Sequence, residues 1–344
     1  MSNPFNLTFG KEPAQMIARY QQSDEIIKAF TDPNPPLQAF MITGVRGSGK
    51  TVFMSSIANT LRDRSDWIVI ELNSSGEILK EMVAKLYNTQ GLARLFDASG
   101  INLSFWGIGI SLKKTAPITD LETAVERMLE RLAKDGKKVL IAIDEVTNTP
   151  EMRYFAGSFQ IMLRHDLPVF LIMTGLYENI NRLQNEDNLT FLYRAPKIYL
   201  EALNIFRISD SYQKSLGLNS EQALELAKAT KGYPFAYQVF GYFTYEKKGD
   251  YTAVTPDVRQ YLDEYVYDKM WSELTEKEIR LLSAMSEQDL TDVSKIKEHL
   301  DMKPNEFSVY RDRLIKKGLL ISKIRGKIEF ALPFWGDYIR EHSL

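Results

Sequence analysis

The chain has 344 residues, 44% of them apolar and 26% charged, with a formal net charge of -2. That length can bury the cores of two or three domains, and so balanced a charge excludes a global pull toward nucleic acid or membrane, leaving any basic site local. The absence of cysteine excludes disulfides, thiolate zinc sites and cysteine nucleophiles.

The opening residues, Met1-Ser2-Asn3-Pro4-Phe5, lack the basic and apolar regions of a signal peptide, and nowhere do 18 apolar residues run uninterrupted. A cytoplasmic location without a membrane span is therefore expected. The apolar run Phe40-Met41-Ile42 leads into Gly44-Val45-Arg46-Gly47-Ser48-Gly49-Lys50-Thr51, and an amphipathic helix starts near Lys50. These eight residues fit G-x-x-x-x-G-K-[ST] in the strand–loop–helix setting that the pattern needs. Glycines let consecutive N–H groups turn inward on phosphate oxygens, and the helix N-terminus adds its positive dipole end. Lys50 would reach the β- and γ-phosphates, and Thr51 would offer its hydroxyl to Mg²⁺. Binding of a nucleoside triphosphate follows.

To about residue 200, apolar strands alternate with helical patterns, as in a parallel sheet covered by helices. The expected strands are Ala39–Thr43, Trp67–Leu72, Val139–Ile143, Val169–Thr174 and Lys197–Leu200. Between the second and third, the partial alternation and glycines of Ile101–Leu112 suggest a short hairpin before a helix over Leu121–Lys134. The apolar Phe105-Trp106-Gly107-Ile108 leaves a membrane-touching loop as the alternative. Val139–Ile143 is apolar throughout and ends in Asp144-Glu145. Asp144 is placed to hold Mg²⁺ and Glu145 to polarise the attacking water, although strands can end in acidic residues without any catalytic use. Val169–Met173 ends in Thr174-Gly175, where a hydroxyl can orient water or sense the γ-phosphate, or simply cap the next helix.

From about 201 to 270 the chain is helical and rich in tyrosine, with a helix opening at Ser220 and stopping at Lys231-Gly232-Tyr233-Pro234. From 271 to 344 the order is helix (Thr275–Ser286), helix (Asp292–Leu300), helix (Pro304–Lys317), two short strands (Leu319–Ile324 and Lys327–Leu332) and a last helix (Phe334–His342). That order matches a winged helix-turn-helix. Arg311, Arg313, Lys316, Lys317, Lys323, Arg325 and Lys327, against the single acidic Asp312, give this stretch a local excess of six positive charges. Such a patch could hold the phosphates of double-stranded DNA. The whole 271–344 segment is nevertheless neutral, with 13 basic and 13 acidic residues, so protein docking or intramolecular packing stays open.

Taken together, the phosphate loop, the Asp-Glu strand, the polar-ended next strand, the helical segment and the winged helix resemble the AAA+/STAND-type P-loop ATPases, closest to their origin-recognition-like group. The resemblance implies an α/β fold: a P-loop core over 1–200, a helical lid over 201–270 and a winged helix over 271–344. It implies ATP and Mg²⁺ as ligands, and Asn3-Pro4-Phe5 and Phe9-Gly10-Lys11-Glu12-Pro13, followed by Ala18-Arg19, as the approach to adenine. Arg194, in Thr190-Phe191-Leu192-Tyr193-Arg194-Ala195, falls where such ATPases place an arginine reaching a neighbouring subunit's γ-phosphate; Pro234 falls in the lid's G-x-P signature. STAND regulators often use a winged-helix histidine on the β-phosphate, but none of His165, His299 and His342 has a recognisable motif around it. The function that follows is a Mg-dependent ATP-hydrolysing switch acting on DNA. The alternative is a signalling switch that docks proteins or itself, and a kinase is a third, weaker option.

Overall fold

The computed structural model describes residues 2–8, 10, 13–109, 115–186, 189–287, 289–300 and 302–343. The chain divides into two compact units, one of Tyr20–Thr43 with Phe53–Ile198, the other of Met1–Arg19, Gly44–Val52 and Tyr199–Leu344. Phe9, Lys11 and Glu12 of the expected adenine segment, and Ile110, Ser111 and Leu112 of the expected hairpin, lie outside the described residues.

The first unit runs α1 (Tyr20–Thr31), β1 (Ala39–Thr43), α2 (Lys50–Arg62, whose first turn belongs to the other unit), β2 (Trp67–Leu72), α3 (Ile78–Asn88), α4 (Leu92–Ala98) and α5 (Leu121–Lys134). It continues through β3 (Lys138–Ile143), α6 (Pro150–Arg164), β4 (Val169–Gly175), α7 (Tyr177–Gln184) and β5 (Lys197–Tyr199). The strands form one sheet in the order β2-β3-β4-β1-β5, with β2, β3, β4 and β1 joined by parallel pairing. Every residue of β1 and β4 is buried, as is β3 from Val139 onward; strands covered on both faces explain why these runs are apolar without alternation. On one face Met41, Ile141 and Leu171 share a core with Met82, Val125 and Phe159 of the covering helices. Their neighbours along the strands point the other way, so Phe40 and Phe170 meet Phe30 of α1 at ring distances of 5.4 and 5.1 Å, with Trp67 4.8 Å from Phe170. Asp120 and Thr149 start α5 and α6 by accepting from Thr123 N and Met152 N, which satisfies N–H groups the helices cannot pair themselves.

The expected hairpin over Ile101–Leu112 is corrected for its described part: residues Ser104–Trp106 form a single 3₁₀ turn. Asn102 accepts from Ser104 N, and Gly107 and Gly109 both take φ of +70°. The left-handed glycines and the asparagine turn close the chain on itself, so no ladder forms.

The second unit is helical: α8 (Ile205–Leu216), α9 (Ser220–Ala229), α10 (Pro234–Glu246), α11 (Thr255–Leu262), a π turn (Asp263–Tyr267), α12 (Asp268–Ser272), α13 (Glu276–Glu287), α14 (Val293–Leu300) and α15 (Pro304–Lys316). An antiparallel pair, β6 (Leu320–Ile321) and β7 (Glu329–Phe330), precedes α16 (Trp335–His342). These elements share one core. Three of its tyrosine hydroxyls are satisfied internally: Tyr212 donates to Tyr237 O, Tyr267 to Pro333 O and Tyr338 to Asp268. Phe5 is buried between Tyr212 and Tyr237, against Gly241 of α10. The strands of the β6–β7 hairpin are shorter than their sequence suggests, because residues 322–327 turn out into solvent as an exposed tip with Gly326 at φ +79°. Among the described residues no helix is long and apolar enough to cross a membrane.

Candidate functional site

Within the first unit, the carboxyl ends of β3, β4 and β1 lie side by side, since Ile143 pairs with Met173 and Ile42 with Thr174. Chain connectivity therefore brings Asp144, Thr174 and the departure point of the Gly44–Thr51 loop to one edge of the sheet. Ligands collect at such an edge in doubly wound folds. The Thr174 hydroxyl, fully buried, donates to Asp144 Oδ1. Glu145 N donates to Asp144 Oδ1 at 3.0 Å and to Thr174 Oγ1 at 3.2 Å, and Val146 N donates to Thr174 O at 2.8 Å. Glu145 itself sits at φ +51° with an exposed side chain. A left-handed glutamate costs about 1–2 kcal/mol, and the surrounding hydrogen bonds hold it there. Thr174 does not cap the following helix: the N-cap of α7 is Leu176, which makes no side-chain cap. Arg194 is exposed at the end of a 3₁₀ turn, Thr190–Arg194, that is anchored by the fully buried Leu192.

Within the second unit, the loop is held from several sides. Gly47 and Gly49 take φ of +73° and +83°, a conformation glycine admits without steric cost, and Ser48 N between them donates to Val45 O at 3.1 Å. Lys50 Nζ donates to Gly44 O at 3.0 Å and Val45 O at 3.1 Å. Tyr233 donates to Arg46 O at 2.6 Å, and the Arg46 side chain pairs with Glu273 at 3.0 Å. A Cβ on Gly318, just after α15, would lie 3.3 Å from Val45 Cβ; one on Gly49 would lie 4.0 Å from Pro234 Cβ, which puts Pro234 beside the loop. Arg19 donates to Ser48 O at 3.3 Å and Glu201 O at 2.8 Å. Burial lowers its pKa to about 10, partly offset by Glu201. The Ser48 hydroxyl is buried and has no hydrogen-bond partner among the described residues, a cost a phosphate oxygen would relieve. Glycine-shaped space and a buried hydroxyl suit a phosphate anion, and hydroxyl and carboxylate oxygens such as those of Thr51 in this unit and of Asp144 in the other are of the hard kind that Mg²⁺ prefers.

The family comparison decides the class. Residues 28–162 match a family described as an ATPase domain predominantly from Archaea. Over nearly its full length the chain is similar in fold to the Walker-type ATPase of Pyrococcus abyssi, with 15% identity, 94% of this chain and 96% of that one covered, and a TM-score of 0.62. The Aeropyrum pernix ORC2 protein, solved in ADPNP–ADP complexes, is similar at 12% identity, 97% and 95% coverage and a TM-score of 0.60. This chain carries an ATPase domain and shares the fold of these two proteins. The ATPase also matches, over residues 264–339, a domain of unknown function. Comparison with curated protein sequences returns no match.

The basic residues read from the sequence of the ATPase divide in the structure. Lys317 Nζ and Arg313 Nε pair with the fully buried Glu278 of α13, at 2.7 and 3.4 Å, and Arg311 pairs with its neighbour Asp312. Lys316 is exposed on α15, and Lys323, Arg325 and Lys327 are exposed at the hairpin tip. Three loop contacts have no signal in the sequence motif. Tyr233 is the middle residue of Gly232-Tyr233-Pro234, a position the G-x-P pattern leaves free. Glu273 and Gly318 stand 227 and 273 positions beyond Arg46 and Val45, and only packing brings them there.

Proposed function

We propose that the ATPase is a Mg²⁺-dependent switch that binds and hydrolyses ATP at Gly44–Thr51 and reads out its nucleotide state through a lid over 201–270 and a winged helix over 271–344. The observation that carries this reading is the side-by-side arrangement of Asp144, Thr174 and the loop's origin at one sheet edge. Water attacks the γ-phosphate and ADP leaves with phosphate. Glu145 takes the proton of the attacking water; Lys50 offsets the charge that develops on the transferred group. Thr51 and Asp144 would hold Mg²⁺, which supplies charge neutralisation at the phosphate oxygens when bound. Thr174 keeps Asp144 oriented and senses the γ-phosphate. Pro234 positions the lid. Arg194, exposed, serves a neighbouring subunit's nucleotide in a self-associated state.

The test is hydrolysis beside binding. Lys50→Ala should lose ATP affinity. Glu145→Gln should keep it but slow turnover roughly 10²–10⁴-fold, and hydrolysis at the wild-type rate in Glu145→Gln sinks its assignment. DNA is the proposed output of the exposed tip, Lys323, Arg325 and Lys327, with Lys316 beside it. A gel shift of the full chain on duplex DNA at 50 and 200 mM salt should show binding that salt weakens. Salt-independent or absent binding favours the second reading, protein docking. That reading is supported by α15, whose exposed face carries Asn305, Val309, Asp312 and Lys316 without excess charge.

A further inference from the structure

We propose that Tyr233 is the positioning residue of the phosphate loop: its hydroxyl, not the neighbouring Pro234 ring, fixes the backbone that must present amides to the nucleotide. The proposal rests on reading Gly44–Thr51 as the nucleotide loop. Tyr233 is 3% exposed and aims its single hydroxyl at Arg46 O, 2.6 Å away. Burial pushes its pKa well above the ordinary range, with Arg46 opposing weakly, so the group stays a neutral donor. The same hydroxyl lies 2.2 Å from where a Cβ on Gly47 would stand. Gly47 thus lacks a side chain because of its φ of +73°, the oxygen above it, and Phe235 Cβ and Tyr233 Cζ, each 3.0 Å from that Cβ.

Tyr233 can act as a fixed point because its own turn is rigid. Thr230 Oγ1 accepts from Gly232 N, and Leu203 N donates to Gly232 O at 2.7 Å. Gly232 takes φ +75° and admits no Cβ, which would meet Leu203 O at 2.5 Å. Lys231, left-handed at φ +51°, reaches the other way and donates to Phe330 O of β7 at 3.1 Å. The loop carbonyl of Arg46 is therefore tied through one turn to a packed hairpin. Pro234 lies beside Gly49, its Cβ 4.0 Å from where a Cβ on that glycine would stand.

Titration of the full chain with a fluorescent ADP analogue and with unlabelled ATP tests this. Tyr233→Phe removes one oxygen, keeps the ring packing, and should weaken both nucleotides about fivefold, the size of a single net hydrogen bond, while kcat at saturation changes less than twofold. A merely structural tyrosine would leave affinity unchanged. Gly47→Ala should weaken binding in the wild type, and by a smaller factor in the Tyr233→Phe background, where the hydroxyl is gone and only the contacts at 3.0 Å remain. Glu273→Gln, which removes only the side-chain ion pair of Arg46, should stay within twofold of wild type. Additive effects of Gly47→Ala and Tyr233→Phe, or a Glu273→Gln loss as large as that of Tyr233→Phe, overturn the proposal. A wild-type chain that binds neither nucleotide overturns the loop reading itself, and this proposal with it.

Discussion

Replacing Glu278 by alanine should be among the most destabilising single changes in the helical unit. Glu278 is fully buried, pairs with Lys317 at 2.7 Å and Arg313 at 3.4 Å, and accepts from Thr275 N and Oγ1 at 2.9 and 3.0 Å. Breaking a buried ion pair from one side costs about 3–5 kcal/mol, because the remaining charge is left uncompensated. Lys317 is only 11% exposed and bears that cost, whereas Arg313, 32% exposed, can turn to water. The lower end, about 3 kcal/mol, therefore applies to the ion pair, and loss of the helix-start bonds to Thr275 adds about 1 kcal/mol. Glu278→Gln keeps an acceptor for Thr275 and should lose only the first part. Glu278→Leu combined with Lys317→Met removes both charges and should recover most of the loss, since apolar replacements of buried pairs are often neutral or better. Urea unfolding at constant m-value measures all three. A Glu278→Ala loss below about 1 kcal/mol would show that Lys317 finds water without cost, and would refute the reasoning.

Other outcomes follow from the same structure. Gly241→Ala places a Cβ 2.4 Å from the Phe5 ring, so a loss of about 1–3 kcal/mol is expected in thermal unfolding, relieved by Phe5→Leu. If the hairpin tip meets DNA phosphates, changing Lys323, Arg325 and Lys327 together to alanine should flatten the slope of log K against log salt by about 2.7, with unfolding unchanged. Asp263 in the π turn has its pKa raised from the ordinary 3.8 to about 6, chiefly by burial. A raised carboxyl favours the folded state when protonated, so its contribution is complete below about pH 4 and is lost as pH rises through 6. Asp263→Asn should remove that portion of the pH dependence, read as urea midpoints between pH 4 and 7.

The sheet was legible because its strands are apolar runs whose ends carry charge or glycine, and burial on both faces leaves little else for them to be. Asp144 and Thr174 were findable for the same reason: each is the first polar group after such a run. The loop's surroundings were not, since the hydroxyl of Tyr233 and the carboxylate of Glu273 reach it from 187 and 227 positions away from Arg46. The basic stretch misled through its own adjacency. Arg313 and Lys317 stand four apart and share one helix face, which turns inward to Glu278, while Lys316 turns out. The hairpin expected over Ile101–Leu112 failed over its described part, because glycine spacing signals a chain reversal without saying whether strands flank it.

The bond from Lys231 to Phe330 O makes the turn before α10 a lever with one arm on the hairpin and the other on Arg46. Levers work in both directions. If nucleotide alters what the hairpin holds, then whatever the hairpin holds must alter nucleotide affinity by the same factor. A partner of this ATPase could thus be found without knowing its identity, as any molecule that changes the dissociation constant for ADP in wild type but not in Lys231→Met.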